Sequence, residues 1–292
     1  MIKIALYLIG IGLSDESDIT LKGLDAIKKC DNIFIDNYTS VLIGSSIEKL
    51  SVFYGKQVRA LSRYELENKA DEIIVLPSKN KDNALLVIGD VFSATTHMSI
   101  YLSAKQKGIK TKVINNASII NAVGITGLQI YKFGKITSIS YPVSKDYSYF
   151  HNFSKTDDLP ELLNYDLTPY EVLANNLSFG YHTLFLLDIK INEPSPNELK
   201  KGLTRSKEES KFFMTVNQAL MLLKKLESIA NRGIISNDTK CIGVARLGTE
   251  TKVIKYGTIK ELISYDFGKP LHSLIIPGKL HFLEQEALDT CR

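Results

Sequence analysis

The chain has 292 residues, 44% of them hydrophobic and 23% charged, with 18 Gly, 8 Pro and a formal net charge of +4. That composition excludes a mainly disordered, collagen-like or disulfide-scaffold protein. The mild basic excess falls short of the clustered charge of a dedicated nucleic-acid binder, and the length suits one large domain or two modest ones.

The apolar run over residues 4–9 ends at Gly10 and is followed at once by Asp15, Glu16 and Asp18. It lacks the small-residue cleavage site of a secretory leader, so it is expected to be a buried strand. Asp18 is expected to cap a helix from Ile19 to Lys29, with Leu21, Leu24 and Ile27 along one face. Strands are expected at 32–36, 57–61, 84–88 and 112–115, with helices over 46–53, 95–107 and 118–123 between or after them. Continuous apolar strands separated by helices imply a mostly parallel sheet covered on both faces. Residues 136–142 alternate like a last strand of this half. The stretch 143–160 then turns rich in Tyr, Ser, Asp and Lys, which puts the expected boundary between domains 1–145 and 146–292.

In the second half a helix near 168–178 leads to a strong strand over 183–189. Residues 190–211 lose any apolar period and read as a surface insertion. Residues 215–229 carry an amphipathic helical pattern, strands are expected at 241–248, 252–257 and 272–278, and a short helix over 281–289 closes the chain. No run reaches the ~18–20 apolar residues of a membrane span. Cys30, Cys241 and Cys291 are widely spaced with no CxxC pair, so neither a zinc site nor a disulfide framework is expected, and a reduced, cytoplasmic setting fits.

Candidate functional residues cluster at strand ends. The Gly10-Ile11-Gly12 turn lets the backbone approach a ligand closely, or is simply a tight turn. Asp15 stands where the third glycine of a dinucleotide fingerprint would be. Asp90 closes the strand 84–88 and suits a ribose hydroxyl, a cation or a plain turn; in open α/β sheets, ligands sit beyond such carboxyl ends. Thr95-Thr96-His97 and Asn115-Asn116-Ala117-Ser118 offer hydroxyls, amides and an imidazole, or caps alone. His272 and His281 have no metal-ligand partner at short spacing, so no metal is expected. HExxH, GxSxG and Walker motifs are absent.

Seven blocks are more specific than any of these features: LYLIGIGLSDESDITLKGL (6–24), LLVIGDVFSATTH (85–97), NNASIINAVGITGLQIYKFG (115–134), HTLFLLDIK (182–190), MTVNQA (214–219), GVARLG (243–248) and PLHSLIIPGKLH (270–281). In this order they resemble the diphthine synthase family, part of the tetrapyrrole methylase-like class of S-adenosylmethionine-dependent methyltransferases. The resemblance implies an α/β fold of two domains with mixed, mostly parallel sheets, a cofactor cleft between the domains, and a homodimer. It implies methylation of the 3-amino-3-carboxypropyl-histidine of translation elongation factor 2 in diphthamide biosynthesis; the modest charge and the lack of a long apolar run leave no nucleic-acid or membrane partner expected. The segment 190–211 is similar to an insertion in the eukaryotic branch, which implies a fourth methyl, on the carboxylate, giving a methyl ester. Carried over by motif, the cofactor contacts are Leu13, Asp90, Ser93, Ser118, Ile119, Leu187, Leu247 and His272. Where the family has Pro after Gly-Asp, this chain has Val91, and Ser93 stands at a variable position, which implies a main-chain contact. The resemblance identifies no catalytic base. His97 is a candidate by its location only.

Overall fold

The computed structural model describes residues 4–38, 40–144, 163–192, 198, 201, 202 and 211–291. The chain divides into two compact units, Met1–Ala122 and Val123–Arg292.

The first unit is built on five parallel strands, β1 (Leu6–Gly10), β2 (Asn32–Asp36), β3 (Val58–Leu61), β4 (Asn83–Val87) and β5 (Thr111–Ile114). Their order in the sheet is β3-β2-β4-β1-β5. Side chains alternate across a strand, so each strand feeds two cores. Tyr7, Ile9, Ile33, Ile35, Ala84 and Leu86 face a core closed by α1 (Leu21–Lys29) and α2 (Ile47–Tyr54), through Ala26, Ile27, Leu50 and Tyr54. Leu6, Leu8, Phe34, Leu85 and Val87 face the opposite core, where α4 (Met98–Gln106) contributes Ile100 and Ala104. α3 (Arg63–Asn68) adds Leu66 to it, and the following helical turns add Ile74 and Val75. A short α5 (Ile119–Ala122) ends the unit.

Local chemistry sets these boundaries. Thr20, rather than Asp18, caps α1, accepting from the Gly23 amide. Ser62 and Glu65 form a capping box at the start of α3, a helix that the sequence pattern did not signal.

The second unit is organised around a mixed sheet of order β13-β12-β14-β9-β6. Its strands are β6 (Thr137–Ile139), β9 (Thr183–Leu187), β12 (Lys240–Ala245), β13 (Val253–Thr258) and β14 (His272–Ile276). Three neighbouring pairs run antiparallel, and only β6 and β9 run parallel. The parallel character expected from the sequence is therefore complete in the first sheet and minor in the second. The last strand of the first half, over 136–142, becomes β6 and pairs with β9. β6 therefore falls in the second compact unit. Two short ribbons, β7 (Val143–Ser144) with β8 (Leu163–Asn164) and β10 (Ile189–Ile191) with β11 (Lys211–Phe213), complete the strands. The proposed insertion over 190–211 thus begins and ends in a β-ribbon, and most of it lies outside the described residues.

α6 (Thr168–Ser178) and α7 (Val216–Ala230) cover one face of this sheet. Leu173, Leu220, Leu223 and Leu226 meet Phe185, Leu274 and Ile276 in a single core. α7 starts at a Thr215–Gln218 capping box. α8 (Ile259–Leu262) and α9 (Phe282–Asp289) close the unit, and His281 caps the latter.

Candidate functional site

In the first unit the carboxyl ends of β1, β4 and β5 converge. Gly10 can take no side chain, because a Cβ there would lie 2.7 Å from the Gly89 carbonyl oxygen. One step further the two turns are stitched together. The Gly12 amide donates to the Gly89 carbonyl at 3.2 Å, and the Gly89 amide donates to the Gly12 carbonyl at 2.7 Å. Both glycines have φ of +81°, a region that side-chain-bearing residues avoid. At Gly89 an added Cβ would meet nothing closer than the Ala117 carbonyl and Ser118 Cα at 3.8 Å and Leu13 Cδ2 at 3.9 Å. The missing side chain therefore leaves a cradle whose walls are Leu13 and the start of α5.

Asp18 accepts from the Leu13 and Ser14 amides at 2.9 and 2.7 Å, which orients the glycine turn. Asp90 organises the opposite wall. Its Oδ1 accepts from the Phe92 amide and the Ser93 hydroxyl, and its Oδ2 accepts from the Asn115 side chain and the Asn116 amide, all at 3.0–3.2 Å. Burial pushes its carboxyl up, but the hydrogen bonds, led by that from Asn115, outweigh burial and hold it below the usual carboxylate range. A carboxylate has about four acceptor positions, and all are engaged within the chain. Asn116 in turn donates its amide to the Gly10 and Asp18 carbonyls at 3.0 Å. Ser118 is buried, its amide donating to Asn121 Oδ1 at 2.7 Å, and Ile119 follows as the first residue of α5.

In the second unit the register of the sheet gathers another set. Ala245, the last residue of β12, pairs with His272, the first of β14, and Ser273 pairs with Leu186 of β9. Leu187, Leu247 and His272 therefore share one edge, each nearly buried. His272 Nδ1 accepts from the Val216 amide at 3.3 Å, while Nε2 faces the Gly268 and Lys269 carbonyls at 3.2 and 3.1 Å. Burial pushes its imidazole below the usual histidine value, so the ring is neutral, with its proton on Nε2. Both ring nitrogens are thus committed within the chain. Arg246, at φ of +52°, shapes the turn before Leu247 and donates to the Phe267 and Lys269 carbonyls.

The sequence-derived candidates thus fall into two sets. Leu13, Asp90, Ser93, Ser118 and Ile119 gather on the first sheet's edge, and Leu187, Leu247 and His272 gather on the second's. His281 is a helix cap. Sequence reasoning missed the organising parts of Asp18 and Asn116. The available signal was a polar side chain just beyond a parallel strand, in reach of the neighbouring turn. Among the described residues no group of three His, Cys, Asp or Glu is placed to hold a metal ion, and no helix is long and apolar enough to cross a membrane.

The profile of the family Tetrapyrrole (Corrin/Porphyrin) Methylases matches residues 5–263. The chain belongs to the tetrapyrrole methylase family. Within it, the chain is 46% identical over 283 residues to the diphthine synthase of Methanocaldococcus jannaschii, covering 97% of each chain. It is 42% identical over 288 residues to the diphthine methyl ester synthase of Dictyostelium discoideum, covering 98% of each. A crystal structure of a diphthine synthase superposes with a TM-score of 0.78 at 33% identity, covering 98% of this chain and 95% of that one. The glycine-lined cradle is thus part of a methylase, which requires a methyl donor.

Proposed function

We propose that this chain is a diphthine synthase: a methyltransferase that moves methyl groups from S-adenosylmethionine to the 3-amino-3-carboxypropyl-histidine of translation elongation factor 2. The near-complete coverage of relatives bearing that name supports this reading. The observation that carries the donor site is the cradle at Gly89. Leu13 and Ser118 flank it with an apolar side chain and a hydroxyl, the chemistry that a partly apolar ligand carrying hydroxyls needs. In this reading Leu13, Ser118 and Ile119 hold the donor, and Asp90 and Ser93 shape the loop that meets it by its main chain. Leu187, Leu247 and His272 are proposed as donor contacts from the family resemblance, and His272, with both nitrogens engaged, would act through its ring face or main chain.

When bound, S-adenosylmethionine supplies an activated methyl group on a sulfonium. The protein's part is to hold donor and acceptor in line, a contribution worth up to ~7–11 kcal/mol. Four transfers, three to the amine and one to the carboxylate, complete the proposed product. A homodimer in the cytoplasm is part of the reading. Tyr131, Phe179, Phe282 and Leu283 are large, exposed and linked by the Lys132–Glu284 and Lys279–Gly180 bonds, and they suit a contact with a second copy.

The test is incubation with S-adenosylmethionine and elongation factor 2 carrying the carboxypropyl arm, read by intact-mass spectrometry. Successive methyl increments are expected, the last removable by mild alkali. Donor binding with no increment on the factor would make the chain a non-catalytic binder.

A further inference from the structure

The donor-site residues leave one chemical need unmet. An amine is protonated at neutral pH and must lose a proton before it can attack a methyl group, whereas a carboxylate needs no such help. The first unit contains a group suited to that task on the same sheet edge as the cradle.

Asp36 is the last residue of β2. β2 lies beside β4 in parallel register, Ile35 opposite Leu86, so Asp36 stands at the end from which Gly89 and Asp90 emerge. His97 closes the loop that Asp90 opens. Ser93 ties the start of that loop to Asp90, and the Thr95 hydroxyl bonds back to the Val91 carbonyl at 2.6 Å. His97 Nε2 lies 3.1 Å from Asp36 Oδ2, and both side chains are essentially sealed from solvent, at 2% and 0% exposed. Neither ring nitrogen completes a hydrogen bond among the described residues. A buried polar atom left unsatisfied costs roughly 1–3 kcal/mol, and a catalytic role is one of the explanations for retaining it. Around the pair, the Tyr38 amide donates to Asp36 Oδ1 at 3.0 Å. The Tyr38 phenol, beside Thr96, Glu67 and Arg63, is pushed up to about 12, mainly by burial and then by the Asp36 and Glu67 carboxylates, so it stays neutral.

We propose that Asp36 and His97 form the proton-accepting pair for methylation of the amine. The carboxylate at Nε2 favours the tautomer that carries its proton there, which leaves the Nδ1 lone pair free; this is the orienting part that a buried aspartate plays for a histidine base. The pair is sealed in the free chain, so acceptor binding must open the loop over 91–97; the ammonium form of the acceptor then gives one proton to Nδ1. The freed nitrogen lone pair forms a bond to the methyl carbon as the carbon–sulfur bond breaks, and the bonding pair stays on sulfur. The proton on His97 then leaves to water. Each amine methylation releases one proton in this way. Transfer to the carboxylate uses no proton acceptor, so the pair is silent in that step.

This inference rests on the diphthine synthase reading, and the experiment separates the two. His97→Asn and His97→Gln, which keep a polar group at this position, are assayed beside the unaltered enzyme with two acceptors. One is elongation factor 2 with the unmethylated arm, and the other is the same factor already trimethylated on nitrogen. No transfer by the unaltered enzyme to either acceptor would overturn the functional reading itself. With the unaltered enzyme active, both variants are expected to lose roughly 10²-fold or more in amine methylation, the scale of general-base catalysis. They are expected to keep carboxylate methylation within about threefold, and calorimetry is expected to give an unchanged donor affinity. Equal losses on both acceptors, or no loss on the amine, would overturn the proposal. Nitrogen-15 spectra of the histidine rings give a readout independent of turnover: His97 is expected as the Nε2–H tautomer, and an Nδ1–H tautomer would equally overturn it.

Discussion

Each unit of this protein buries a histidine against a carboxylate, and the two pairs differ in how many of their polar atoms have partners. In the second unit His182 Nε2 lies 2.9 Å from Glu284 Oε1, and its Nδ1 accepts from the Gly278 amide at 3.0 Å. Glu284 also accepts from the Gln129 and His281 amides and from Lys132. Every polar atom of that pair has a partner. In the first unit the separation is similar, yet neither ring nitrogen of His97 completes a hydrogen bond among the described residues. A saturated buried pair fixes architecture: it joins α9 to the turn at 129–132 and to the strand entry at 182. The unsaturated one is the pair proposed to act on an outside group. Burial and distance alone do not distinguish the two, whereas the inventory of partners does.

The sharpest way to break the comparison is to remove Glu284. Glu284→Ala strands Lys132, His182 and two amides, and breaking a buried pair costs about 3–5 kcal/mol. Chemical denaturation is expected to show that loss, with the relative rates on amine and carboxylate acceptors unchanged in whatever remains folded. A change in that ratio would erase the distinction drawn between the pairs.

The Asp90 network gives a smaller effect. Asp90→Ala leaves four donors without their acceptor and loosens the wall of the cradle. Donor affinity is expected to fall about tenfold, equivalent to about 1.4 kcal/mol, with the first unit still folded. Calorimetric titration giving an unaltered affinity would show that the loop is held by other means.

The smallest and most graded test is pH. Burial pushes His182 below its usual value, while Glu284, despite burial, is drawn down to about 2 by its hydrogen bonds, led by that from the His281 amide. Both shifts mean that the unfolded chain binds more protons than the folded one as pH falls. Stability is therefore expected to be highest above about pH 6.5, to decline as unfolded histidine protonates, and to fall again from about 4.3 towards 2 as unfolded glutamate does. Urea midpoints measured across that range should lose the lower step in Glu284→Gln.

The parallel sheet of the first unit was legible because its strands are continuous apolar runs, and NIFID at 32–36 matches β2 residue for residue. The second sheet was not, because apolar runs such as 272–276 look the same whether their neighbours run parallel or antiparallel. The pairing of β6 with β9 was not legible either, since nothing in three residues encodes their pairing partner. At the site, Gly10, Gly12 and Asp90 stood out by spacing. Asp18 was expected as a cap, and instead it turns back onto the Leu13 and Ser14 amides, a contact that only the folded turn creates. His97 was visible as a residue type at a strand-end loop, but its partner Asp36 closes a different strand far away in sequence.

The reciprocal bonds between Gly12 and Gly89 have a consequence of their own. Because each backbone amide is spent on the other's carbonyl, neither turn can shift without releasing its twin. The rim behaves as one clasp, so a ligand that grips either lip steadies both, and a disturbance at one glycine is felt undiminished at the second.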